Sequence, residues 1–142
     1  MGGRAHAELG AAIALMVVTA TAGVAQATPV PKPVRQGDAT YVNGGIGQTE
    51  ADAIRHMASK WPLEMTFSEH HQGRDEFVAG VTLRVAGKNG RTVVDVHDGG
   101  PLLLLKLPEG RYTVKAEYDG QVKTKRVDIA AGQHDSIAFL WS

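Results

Sequence analysis

The segment 107–129, "LPEGRYTVKAEYDGQVKTKRVDI", decides the fold. Tyr112, Val114, Ala116 and Tyr118 alternate with Arg111, Thr113, Lys115 and Glu117. That period of two is the mark of a strand with one face buried and one in water. Asp119-Gly120 then reads as a turn, and "QVKTKRVDI" (121–129) as the returning strand of a hairpin. Two registers compete. A two-residue type I′ turn pairs Ala116 with Lys123 and Val114 with Lys125, which puts lysines on the apolar face. A three-residue loop pairs Ala116 with Val122 and Val114 with Thr124, and then needs a bulge near Lys125-Arg126 to return Val127 and Ile129 to the core. Inward lysines are costly unless their ammonium groups reach water. The bulged register is therefore expected.

The same period runs outward from this hairpin. Leu63, Met65 and Phe67 alternate with Glu64, Thr66 and Ser68, and Val81, Leu83 and Val85 with Thr82 and Arg84. Val94 and Val96 flank Asp95, and Ile137, Phe139 and Trp141 alternate near the C-terminus. "PLLLLKL" (101–107) is continuously apolar, as a strand covered on both faces should be. Turn signals separate these runs: Asn89-Gly90, Asp98-Gly99-Gly100-Pro101, Pro108-Glu109-Gly110, Asp119-Gly120 and Gly132. The pattern predicts a mainly β chain, an antiparallel sandwich of about seven strands over 62–142.

One helix is expected, over 49–61 ("TEADAIRHMASKW"). Ile54, Met57, Ala58 and Trp61 fall on one face. Thr49 is the expected N-cap, with Asp52 three residues on, and Pro62 ends the helix. The apolar face should pack on the sandwich. Upstream, 28–48 holds three prolines at its start and a glycine cluster at its end, and is expected as a Pro/Gly-rich linker. Residues 11–25 are apolar and uncharged, shorter than the roughly 20 residues of a membrane span. Ala25-Gln26-Ala27 follows the pattern that signal peptidase accepts, so 1–27 is expected as a signal peptide cut after Ala27. Export to the periplasm or beyond follows from that expectation, with no membrane insertion of the mature chain.

The chain has 142 residues, a formal net charge of zero and no cysteine. Disulfides, thiolate catalysis and Cys-based metal sites are excluded. A balanced charge gives no global field for nucleic acid or anionic membrane, so neither is expected as a partner.

The residues Gly110, Tyr112 and Val114, after the turn at Pro108, form a G-x-Y-x-V strand. With "VAGVTLRVAGKNGRTVVDVHDGG" (78–100) and "AAGQ" (130–133), they resemble the carboxypeptidase regulatory-like family, a transthyretin-like, immunoglobulin-like seven-stranded sandwich. The resemblance covers roughly 63–142. "VNGGIGQTEADAIRHM" (42–57) is also similar to a leader of small exported bacterial proteins of this type. The resemblance implies a periplasmic or secreted, non-catalytic module for folding, docking, or binding of carbohydrate or protein. The peptidase domain that names the family has no room in this chain.

Candidate chemistry is sparse. "VNGGIGQTEADAI" (42–54) suggests a phosphate loop, but no Lys follows, the third glycine of a dinucleotide fingerprint is missing, and Glu50 and Asp52 put negative charge where phosphate would sit. Ser59, Ser68, Ser136 and Ser142 lie in no G-x-S-x-G context. Asp75-Glu76 and Asp95/Asp98 have no spacing that compels acid/base work. No catalytic residue, cofactor or metal ligand is assigned, and an enzyme is not expected. The alternative is a periplasmic copper- or zinc-binding protein, which would require His56, His70, His71 or His97 to converge in space. The main candidate is a docking patch, Lys115, Lys123, Lys125 and Arg126, for another envelope protein or an anionic glycan. The plainer reading is a charged outer face that blocks edge pairing.

Overall fold

A computed structural model describes residues 30–142. The segment expected as a signal peptide lies outside the described residues. Within them the chain forms ten strands and one α-helix. One sheet has six strands: β1 (Val34–Gln36), β2 (Ala39–Gly44), β3 (Leu63–His71), β4 (Arg74–Phe77), β7 (Leu102–Lys106) and β10 (Asp135–Trp141). Its order is β1-β2-β7-β3-β10, with β4 also paired to β3. The other has four: β5 (Val81–Gly87), β6 (Thr92–Gly99), β8 (Gly110–Tyr118) and β9 (Gln121–Ile129), ordered β6-β5-β8-β9. The expected class, a mainly β sandwich with one short N-terminal helix, is the observed one. The strand count is ten rather than seven, because β1, β2 and β4 join. One pair, β3 with β10, is parallel.

The inner faces of the two sheets share one core. It includes Leu63, Met65 and Phe67 from β3, Leu83 and Val85 from β5, Val114 and Ala116 from β8, and Phe139 and Trp141 from β10. Phe67 stacks on Phe139 with ring centroids 5.6 Å apart, and Tyr118 tilts against Trp141 at 5.5 Å. No charged or polar residue is buried among the described residues.

The leucine run resolves as the sequence implies. Leu103 and Leu105 enter the main core, while Leu102 and Leu104 point to the opposite face. There α1 (Gln48–Met57) covers them, with Val42, Ala51, Ile54 and Ala58 completing a second, smaller core. Ile54 is fully buried, and burying such a side chain stabilises by about 1.5–3 kcal/mol. A short 3-10 turn, Ala58–Lys60, carries the chain to Trp61, which is extended ahead of Pro62. No helix among the described residues is long and apolar enough to cross a membrane.

Three local expectations are corrected. Residues 34–44, expected as linker, form β1 and β2. Ala39 and Tyr41 face the main core and Val42 faces the helix, so this short run is pinned on both sides. The helix begins at Gln48, not after a Thr49 cap. Gly47 holds the N-cap position at φ 86° with no side-chain cap, and Glu50 reaches back so that its Oε1 accepts the Gly45 N–H at 2.7 Å. The β8–β9 hairpin takes the two-residue register, with Ala116 opposite Lys123 and Val114 opposite Lys125, and no bulge. Asp119 (φ 51°) and Gly120 (φ 77°) make the type I′ turn, whose twist matches that of the strands. The lysines are tolerated because β9 is the sheet's last strand. The Lys125 ammonium lies 5.6 Å from the Phe139 ring centroid, on an exposed side chain that reaches water.

Side-chain amides close one flank of the sandwich. Gln36 donates Nε2–H to the Asp95 carbonyl at 2.8 Å and accepts the Asp95 N–H at 2.9 Å. Asn43 does the same a few residues on, accepting the Gly100 N–H at 2.8 Å and donating to the Asp98 carbonyl at 3.2 Å. Each amide occupies backbone groups that the edge strand β6 would otherwise offer to another chain.

Candidate functional site

The four cations of the predicted docking patch sit on or beside β9, but on two sides of it. Strand alternation turns Lys123 and Lys125 toward the inter-sheet side and Arg126 outward. Lys115, one strand in, is also outward, level with Thr124 on β9 and Arg84 on β5. The structure therefore brings Lys123 and Lys125 together, and Lys115 and Arg126 together, as the two sides of a cationic rim. Among the described residues none of the four is in an ion pair.

The outer side is less basic than the sequence suggests. Arg84 Nη2 lies 3.8 Å from Asp95, and Arg111 Nε 3.3 Å from Asp128. Glu117 lines a hollow of about 140 Å³ with Thr82, Arg84, Lys115 and Val122. Arg84 and Arg111 belong to this surface and were absent from the predicted patch. Their outward alternation was visible, but the neighbouring strands were not. On the inner side, Lys123 and Lys125 make no ion pair among the described residues. Lys123 and Lys125 stand over the aromatic end of the core, where Trp141 Nε1–H donates to the Gln121 carbonyl at 3.0 Å and ties β10 to β9.

Tyrosines mark both ends of β8. Tyr112 donates its hydroxyl to the Pro108 carbonyl at 2.7 Å, fixing the turn that starts the strand. Burial pushes the Tyr112 hydroxyl above the usual tyrosine range, and the Asp38 carboxylate adds to the effect. Burial also raises Tyr118, followed by the nearby charges of Glu69 and Asp119.

The histidines are dispersed. His56 is exposed on α1. His70 Nδ1 is 2.7 Å from Asp75 Oδ1 across the β3–β4 hairpin, and His71 pairs opposite Arg74. His97 Nε2 is 3.8 Å from Asp95 on β6. His134 Nδ1 contacts the Trp61 carbonyl at 2.7 Å. His56, His70, His71 and His97 are not brought together, and the described residues contain no group of three or more His, Asp or Glu side chains placed to hold a metal. Ser136 donates to Glu64 at 3.3 Å rather than to a histidine.

The glycine-rich entry to α1 is occupied by the protein itself. The Glu50 carboxylate takes the Gly45 N–H, the kind of donor that a phosphate would need. Beside it lies an apolar hollow of about 410 Å³, lined by Ile46, Ala51, Phe77, Ala79 and Pro101. Ile46 is 71% exposed, and the Arg55 guanidinium lies 5.0 Å from the Phe77 ring centroid.

No protein-family model matches the chain. No curated protein matches it either. Among solved structures, it is similar to GBS52, the minor pilin in the Gram-positive pathogen Streptococcus agalactiae, with 18% identity and a TM-score of 0.41. The match covers 56% of this chain and 44% of the pilin chain, so it spans less than half of the pilin's length.

Proposed function

We propose that this chain is an exported, non-catalytic accessory module of the cell envelope, a sandwich of the carboxypeptidase regulatory-like kind that docks a carboxylate-bearing partner. The observation that carries this reading is the cationic rim of β9. Among the described residues Lys123 and Lys125 are in no ion pair, and they occupy register positions on the same side of β9. Two like charges on one side of a strand favour a partner of opposite sign. Export is supported by the apolar 11–25 segment and the Ala25-Gln26-Ala27 site that follows it.

The test is a titration of the isotope-labelled protein with polyglutamate and with polygalacturonate at low salt. Resonances of Lys115, Lys123, Lys125 and Arg126 are expected to move with at least one of the two, and added salt should weaken the effect. The double variant Lys123→Glu/Lys125→Glu should keep its thermal stability and lose the response. An unchanged response in that variant would remove the docking role.

A further inference from the structure

We infer that the partner docks as an added β-strand on the free edge of β10, with its carboxylates under Lys123 and Lys125. This rests on the docking role proposed above and specifies its geometry. The Asp135 N–H donates to the Pro62 carbonyl at 2.8 Å, which aims the Asp135 backbone at β3. In a parallel pair that direction repeats at every second residue. Ile137, Phe139 and Trp141 thus bond to β3, while Ser136, Ala138 and Leu140 turn their N–H and C=O groups outward. The pairing β3 makes with β7 and β4 lies on its other side: the Phe67 N–H donates to Pro101, and the Phe67 carbonyl accepts from Val78. Nothing among the described strands pairs with the outer edge of β10.

The other sheet edges are blunted. β1 has only three residues, β6 is capped by the Gln36 and Asn43 amides, and β9 carries Lys123, Lys125, Arg126 and Asp128. β10 differs. From Ser136 to Trp141 it has no charge and no proline, and Leu140 is 44% exposed. An incoming strand would meet three residues' worth of free backbone groups, with Leu140 on the outer side and two lysines on the inner side. Main-chain bonds supply affinity, and alternate side chains supply selectivity. The strand that fits has Glu or Asp at every second position and apolar or Thr residues between. A second copy fits less well, because an antiparallel β10 pair would bring two lysine-bearing β9 strands to the same side of one sheet.

The probe is a synthetic peptide of alternating Glu and Val or Thr, tested beside the same peptide N-methylated on the amides that would face β10. The wild-type chain is expected to bind the first, to bind the second about tenfold or more weakly, and to gain hydrogen-exchange protection at the Ser136, Ala138 and Leu140 amides. Ala138→Pro, whose lost N–H serves no ladder bond in the free protein, should weaken the peptide by a similar factor and leave polygalacturonate unaffected. If Lys123→Glu/Lys125→Glu abolishes binding while N-methylation and Ala138→Pro change nothing, docking is by charge alone and strand addition is wrong. Absent protection at the three amides overturns it too, whether or not the proline variant folds. A concentration-dependent dimer that Ala138→Pro disperses without peptide would assign the edge to a second copy instead.

Discussion

Tyr112 shows how much one residue can reveal. The sequence places it in a G-x-Y-x-V strand after a proline turn, and its hydroxyl closes that turn onto Pro108. A hydrogen bond of this kind contributes up to about 1 kcal/mol where the group is half-buried. Tyr112→Phe should lose no more than that in denaturant unfolding. It should also remove a late-titrating phenol. The folded hydroxyls of Tyr112 and Tyr118 are raised above the ordinary value of 10.0, so the neutral forms favour folding. Their contribution is complete below pH 10 and declines as pH rises through the higher folded values. Tyrosine ring shifts followed through alkaline pH should show both residues ionising later than in the unfolded chain. Earlier ionisation would contradict the burial assigned to them. The helix start was less legible. Thr49 looked like a cap, but Glu50 reaches back to Gly45, which depends on the positive-φ path through Gly45 and Gly47.

At the scale of elements, period-two runs longer than about five residues were readable because one face of each strand is buried. β1 and β2 were not, since Gly37-Asp38 interrupts a run of small and polar residues. Tyr41 and Val42 become core only when β7 lies alongside. The β8–β9 register differs from the sequence expectation for a related reason. The cost of an inward lysine depends on whether its strand is an edge, and strand order is a tertiary fact. The docked helix gives the clearest element-level expectation. Ile54→Ala should destabilise by roughly 2–5 kcal/mol, because the site is fully enclosed by Val42, Leu102 and Leu104. Met57→Ala, on the half-buried rim, should cost less. A change within about 0.5 kcal/mol for Ile54→Ala in chemical denaturation would mean that the helix does not rest on this sheet.

For the whole molecule, the cations of the candidate site were legible as residues but not as a surface. Sequence placed Lys115, Lys123, Lys125 and Arg126 on one hairpin. Only the unbulged register sorts them into two sides, and only strand pairing shows that Arg84 and Arg111 are already answered by Asp95 and Asp128. The two lysines left facing the β10 edge are what make an anionic partner the reading best supported. The most direct measurement is photo-cross-linking in intact cells from a photoreactive residue at Leu140, which is 44% exposed on the β10 edge where the partner strand would lie. The account predicts a covalent adduct with an acidic envelope partner that disappears when Lys123 and Lys125 are both reversed to glutamate. An adduct that persists unchanged in the reversed variant, or no adduct in the wild type, would contradict it.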